Sequence, residues 1–383
     1  MGSYPITACS LANALGDDAR AVMAALTRGD GGLADDVPGF APRWVGACGS
    51  LEALPPSWSA YDNRQARVTA LALSPMTSAV ARACTRWGAS RVAVVVGTST
   101  GGIAATEARW PALVAGGGEA YDLQKQHALQ ATIDLIRGLT GLRGPGYAIS
   151  TACSSSAKAF GSAQRLLDAD LADAVLVGGV DSLCELTLRG FAALELVSST
   201  PCRPFAAARD GISLGEGGAF ALLERRGDAP VKLCGVGESC DAYHMSSPQP
   251  DGIGAIAAMR AALQAAALEP GQIGFVNAHA TGTTVGDAAE AAAIAAVFGR
   301  ATPVVATKGL TGHLLGAAGA TEVVLSALAL EHGQLPGSRG AAPIDPTLAI
   351  EIVEHARGIE CDWALSNSFA FGGSNAAVIV GLA

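Results

Sequence analysis

Short, nearly uninterrupted apolar runs recur along the chain, at 91–96, 174–177, 218–223 and 378–380. Runs this short without polar alternation suit sheet strands that are covered on both faces. Between them, apolar residues return at three- and four-residue spacing. Phe160, Ala163, Leu167 and Leu171 form one such stripe and predict a helix over 157–171. Further helices are predicted over 254–268, 287–298 and 319–332. The alternation of strand and helix predicts a layered α/β fold. Pro248, Pro250 and Gly252 interrupt the pattern, which divides the chain into an N-terminal half, 1–240, and a C-terminal half, 241–383. Each half offers a strand, a Gly/Ser/Thr turn and a helix. A single large α/β domain without duplication would give the same pattern. The Gly-, Pro- and Ala-rich segment 31–56 reads as loop or a small peripheral cap.

Composition narrows the function classes. Half of the 383 residues are hydrophobic and 15% are charged, so a large core is readily built. A net charge of -9 argues against a nucleic-acid partner. Every apolar run is broken by glycine or charge, so no membrane-spanning segment is expected. The N-terminus lacks the basic start and long apolar stretch of a signal peptide. Nine cysteines, with no Cys-x-x-Cys pair, suggest reduced thiols and a cytoplasmic location. His127, His244, His332 and His355 have no metal-ligand spacing, and no metal site is expected. Residues 97–102 do not fit the dinucleotide-binding glycine pattern, and no phosphate-binding P-loop is present.

Three segments carry candidate chemistry. Cys153 lies in Ser150-Thr-Ala-Cys-Ser-Ser-Ser-Ala157, where an extended stretch meets a helix start. The dipole and free N–H groups of a helix start stabilise a thiolate. A small buried structural cysteine is the alternative. His279 ends an apolar run in a polar turn, where Thr281 and Thr283 are expected to hold the loop by hydroxyl-to-backbone bonds. His313 lies in the Gly-rich stretch 304–322, in which Lys308 and Glu322 are placed to neutralise each other. A third Gly-rich turn, 366–375, offers backbone N–H groups to an oxyanion. A thiol and two imidazoles brought together would suit acyl transfer through a thioester.

In their order, Thr151-Ala-Cys-Ser-Ser-Ser156, Pro204-Phe, Arg209-Asp-Gly, Gly215-Glu-Gly-Gly218, Asn277-Ala-His-Ala-Thr-Gly-Thr283, Thr307-Lys-Gly-Leu-Thr-Gly-His-Leu-Leu-Gly-Ala-Ala-Gly319 and Ser366-Asn-Ser-Phe-Ala-Phe-Gly-Gly-Ser-Asn375 closely resemble the β-ketoacyl synthases of the thiolase superfamily. The resemblance covers nearly the whole chain. It implies a thiolase-like five-layer α-β-α-β-α fold built from two similar halves. It also implies decarboxylative Claisen condensation of an acyl thioester with malonyl-acyl carrier protein. Cys153 would be the acylated nucleophile. His279 and His313 would assist decarboxylation, Lys308 would organise the site with Glu322, and Phe371 would gate it, its N–H joining that of Cys153 in an oxyanion hole. No cofactor is implied, since the substrates travel on the phosphopantetheine arm of acyl carrier protein. Arg64, Arg67 and Arg203 occupy positions suited to docking that acidic partner.

Three departures from the common pattern bear on the acyl pocket and the gate: Ala280-Thr-Gly-Thr after His279, Gly309-Leu310, and Ala370 beside Phe371. They and the short N-terminus resemble the aryl polyene branch, in which a related ketosynthase or chain-length-factor subunit completes a heterodimer; a homodimer is the other arrangement. A primary fatty-acid elongation synthase is the alternative. A non-catalytic chain-length factor or scaffold fits less well, because such subunits lose the cysteine. A degradative thiolase would carry a second catalytic cysteine in the C-terminal motif, and acyl-CoA-primed synthases carry Cys-His-Asn in place of Cys-His-His.

Overall fold

The computed structural model describes residues 2–116 and 121–383. Five strands make the first half: β1 (Tyr4–Asn13), β2 (Val92–Gly97), β3 (Gly146–Ile149), β4 (Ala174–Asp181) and β5 (Gly217–Glu224). Six make the second: β6 (Val231–Cys240), β7 (Ile273–Asn277), β8 (Pro303–Val305), β9 (Glu351–Ile352), β10 (Trp363–Ala370) and β11 (Ser374–Leu382). The hydrogen-bonded order is β9-β8-β7-β10-β11-β6-β1-β5-β4-β2-β3. In the first half β3, β2 and β4 run parallel, and β5 and β1 follow antiparallel. The second half repeats this: β8, β7 and β10 run parallel, and β11 and β6 follow antiparallel.

The two halves meet edge to edge. β6 pairs with β11 from Val231 to Cys240, but with β1 only through Tyr4–Leu233 and Pro5–Lys232. Because β6 belongs to the second half along its whole length, we propose that the division falls in the turn before Val231. The division drawn at 240 on the Pro248–Gly252 interruption lies one strand too late.

Helices α1 (Arg64–Leu73), α2 (Thr77–Trp87) and α3 (Leu129–Thr140) cover the outer face of the first half. The next two in the chain are α4 (Ser155–Asp168) and α5 (Glu185–Ala193). Helix α6 (Ile253–Ala266) covers β6 and β11, and α7 (Thr284–Phe298) packs on α6. The last helix, α8 (Ala318–His332), lies against α4, and both touch strands of both halves. Outer helices, strands, the α4/α8 pair, strands and outer helices give the five layers. The sequence of α8 explains its place: every residue from Ala318 to Leu330 is buried. A helix apolar on all sides requires cover on all sides. Segment 31–56 holds two-residue strands at Leu33–Ala34 and Val45–Gly46 and is otherwise irregular, in keeping with a cap.

Candidate active site

The chain leaves β3, turns sharply and enters α4, and Cys153 stands in that turn. Ala152 takes a left-handed φ of 51°, a conformation that costs a residue bearing a Cβ and marks functional turns. Hydroxyls pin the turn. Ser155 Oγ donates to the Ala152 carbonyl and accepts the Thr151 N–H at 2.9 Å, and Ser154 Oγ donates to the Thr151 carbonyl at 2.9 Å. The start of α4 sits so close to the end of β2 that a Cβ on Gly97 would fall 2.2 Å from the Ser156 nitrogen.

The second half supplies the imidazoles. His313 is held through its backbone: its N–H donates to the Ser213 carbonyl at 2.8 Å, and its carbonyl accepts the Gly215 N–H at 2.9 Å. Its Nε2 lies 2.9 Å from Cys153 Sγ. His279 follows β7 and stands edge-on to His313, with ring centroids 5.3 Å apart. Donor atoms of Cys153, His279 and His313 all lie within 4.8 Å of one another. The three residues, remote in sequence, thus meet at one point.

A buried carboxylate fixes the His279 turn. Glu290 on α7 accepts the His279 N–H at 2.8 Å and the Ala280 N–H at 2.7 Å, and Asn367 steadies it at 3.2 Å. Ala280 is held at φ 35°. The sequence reading took Glu290 only as a helix-start residue. An acid isolated among the alanines of 288–293 was the available signal of an inward-facing anchor.

Lys308 is buried and donates to the Glu322 carboxylate and the His279 carbonyl. Its Nζ also lies 3.4 Å from His279 Nδ1. An ammonium only donates, so Nδ1 is the acceptor and the proton of the neutral ring sits on Nε2. Burial, opposed by Lys308, pushes the Glu322 carboxyl up to about 7. Both imidazoles are held well below their usual range, first by burial and then by the Lys308 charge. They are therefore neutral N–H donors near pH 7.

The thiol departs from the sequence expectation. Burial pushes Cys153 up to about 12, although the Lys308 charge and the N–H groups of Phe371 and Cys153 itself pull it down. The helix start does not outweigh desolvation here. The resting group is a thiol, with His313 Nε2 placed to take its proton. The two N–H groups that act on the sulfur are also the pair expected to form the oxyanion hole.

A cavity of about 280 Å³ leads to these groups, lined by Phe191, Thr281, Thr283, Val285, Phe369 and Phe371 among others. Thr281 and Thr283 hydroxyls bond each other at 3.1 Å rather than the backbone. The Phe371 ring stacks at a tilt on Phe191 of α5, 5.5 Å away. Ala370 ends β10 paired with Ser374 and needs no left-handed backbone, so its Cβ is accommodated. Left-handed Gly372 and Gly373 then make the turn.

The arginines expected to dock a carrier have other partners. Arg64 forms two hydrogen bonds, of 2.6 and 2.5 Å, to Glu216, a fully buried carboxylate that also accepts the Cys48 and Leu183 N–H groups. Arg67 grips Asp62 at 2.7 and 2.8 Å. Arg203 donates to the Ala208 carbonyl at 2.8 Å. None of the three lines the cavity. The docking roles read for Arg64 and Arg67 are corrected accordingly: each guanidinium is paired with a carboxylate of its own chain.

Comparisons with known proteins agree with this site. Residues 59–229 match the family described as "Beta-ketoacyl synthase, N-terminal domain", and residues 231–341 match "Beta-ketoacyl synthase, C-terminal domain". The chain is 36% identical over 267 residues to a 3-oxoacyl-[acyl-carrier-protein] synthase 2 of Staphylococcus aureus, a match spanning 65% of this chain and 65% of that protein. It is 35% identical over 318 residues to the synthase of the same name from Vibrio harveyi, covering 77% of this chain and 76% of that one. A chain from the solved complex of the ketosynthase ApeO with its chain length factor ApeC, from Xenorhabdus doucetiae, superposes with a TM-score of 0.93 at 37% identity, covering 100% of this chain and 98% of that one. With its nucleophile turn, its two imidazoles and its Gly-rich gate in place, the chain belongs to the beta-ketoacyl synthase family.

Proposed function

We propose that this chain catalyses decarboxylative Claisen condensation between an acyl group held on Cys153 and malonyl-acyl carrier protein. The observation that carries this reading is the convergence of the Cys153 sulfur, His313 Nε2 and His279 at the foot of a cavity. In the first half-reaction the Cys153 sulfur attacks the acyl thioester. Its proton passes through His313 Nε2 to the departing carrier thiol, leaving acyl-Cys153. In the second, the malonyl carboxylate leaves as carbon dioxide and its electron pair enters an enolate. The neutral imidazoles donate N–H to the thioester oxygen where that charge develops. The enolate carbon attacks acyl-Cys153, and the N–H groups of Phe371 and Cys153 hold the tetrahedral oxyanion. Collapse forms the new carbon–carbon bond and expels the Cys153 sulfur, which regains a proton. Thr281 and Thr283 present hydroxyls to the incoming pantetheine arm.

Replacing Cys153 with alanine is expected to abolish condensation while malonyl decarboxylation continues, since the enolate-stabilising imidazoles remain. The measurements are release of labelled carbon dioxide and mass spectrometry of the carrier. Loss of both activities in a folded variant would overturn the division of roles.

The finer reading is a polyene synthase of the aryl polyene type acting in the cytoplasm. Likeness to a chain of a ketosynthase–chain length factor complex supports it, as do nine unpaired thiols. A related ketosynthase or chain-length-factor subunit is the proposed second partner. Strand β3 ends the sheet with one edge unpaired, the kind of edge another chain can cover. Trp110, Leu113 and Val114 are exposed apolar side chains of the helix Ile103–Val114. Primary fatty-acid elongation is distinguished by offering saturated and aryl-primed carriers side by side. Preference for short saturated primers by the assembled enzyme would remove the polyene assignment.

A further inference from the structure

The mouth of the cavity has an unusual chemistry for a site proposed to receive an acidic carrier. Among the described residues lining it there is no lysine or arginine, and the acidic ones are Glu195, Asp210, Asp241, Asp287 and Glu290. Around the same opening stand large apolar side chains that are 51% to 79% exposed: Leu194, Tyr243, Met245, Ile253 and Val285. Val285 lines the cavity itself. Leu194 adjoins the lining residue Glu195, Met245 adjoins Ser246, Ile253 adjoins Gly252, and Tyr243 lies between Asp241 and Ser246. These five come from three separate stretches of chain, so their gathering at one opening is a product of the fold. Isolated exposed apolar residues are ordinary, but a cluster at the entrance to a site marks a contact surface.

The charge pattern decides what that surface fits. An acidic partner face would meet acid at this mouth and gain nothing from steering. Arg64 and Arg67 already hold carboxylates of their own chain. Arg203 gives a guanidinium N–H to Ala208. We propose that Leu194, Tyr243, Met245, Ile253 and Val285 form an apolar docking collar for the thioester-bearing carrier domain, which binds through an apolar face. This rests on the condensing reading above and names how its partner is recognised.

Two measurements test it on the assembly that supports condensation. For Tyr243→Ser combined with Ile253→Ser, KM for malonyl carrier is expected to rise about tenfold, the loss of one or two contact anchors. Turnover of an N-acetylcysteamine thioester, which needs no carrier, should change by less than about twofold, because the substitutions lie outside the catalytic groups. For the unaltered protein, raising salt from about 0.05 M to about 0.5 M should change the carrier KM by less than about twofold, since apolar contacts are not screened. A carrier KM that climbs steeply with salt, or is indifferent to the two substitutions, overturns the collar. So does dissociation of subunits in the variant at unchanged KM, which would assign these side chains to a subunit contact. Failure of the unaltered protein to condense either substrate would instead overturn the condensing reading itself.

Discussion

At Cys153 a helix start and a closed cavity act against each other, and the cavity wins. The same desolvation that keeps the thiol protonated keeps His279 and His313 neutral. Stability should carry the imprint. In the unfolded chain each imidazole titrates near its ordinary value of about 6.5. In the folded protein both are depressed, so below about pH 6.5 the unfolded state takes up protons that the folded state refuses. The contribution of the neutral rings is therefore whole above about 6.5 and shrinks as pH falls, by up to ~1.4 kcal/mol per pH unit for each ring. The urea midpoint should drop more between about pH 7.5 and about pH 5.5 for the unaltered protein than for His313→Gln. Equal drops would mean that His313 is not kept neutral. The identities of Cys153, His279 and His313 were legible in the sequence because each sits in a distinctive motif. The charge states were not, because burial arises only when distant segments close over the site.

At the scale of the element, the helices were legible almost to the residue. The stripes predicting 157–171, 254–268, 287–298 and 319–332 became Ser155–Asp168, Ile253–Ala266, Thr284–Phe298 and Ala318–His332. The continuous runs became strands. β1 and β6 escaped notice, because Pro5 and the polar positions of Tyr4–Asn13, and the glycines and Glu238 of Val231–Cys240, dilute the apolar signal. Missing β6 displaced the boundary. Ion pairs were also illegible, since the Arg64–Glu216 contact joins positions 152 residues apart. That contact fastens the first turn of α1 to the turn before β5. Replacing Arg64 with alanine would leave Glu216 buried with two backbone donors and no cation. Loss of one partner of a buried pair costs about 3–5 kcal/mol, and the one-third exposure of Arg64 lowers this to about 2–3 kcal/mol. Denaturation should report that loss, with carrier and small-thioester kinetics of the folded fraction affected alike. A selective rise in carrier KM at unchanged stability would return Arg64 to a docking role.

For the whole molecule, the decisive feature is that the chemistry lies on a seam. The nucleophile comes from the first half, and both imidazoles, Lys308 and the Gly-rich gate come from the second. Helices α4 and α8 lie between the halves and touch strands of both. α8 is buried from Ala318 through Leu330, and it donates the Ala320 N–H to Ser156 Oγ on α4 at 2.8 Å. Neither half can hide its central helix alone, so the repeat in strand order does not make two independent folding units. A chain of this length ordinarily unfolds domain by domain. Here the shared layer predicts a single transition. Hydrogen exchange in rising denaturant should show the amides of α4, α8, β4 and β10 losing protection together, at one free energy. Fragments 1–230 and 231–383 made separately should lack fixed tertiary structure and regain it when mixed. Two resolved unfolding steps, with one sheet protected after the other has opened, would show that the α4/α8 layer does not bind the halves into one cooperative unit.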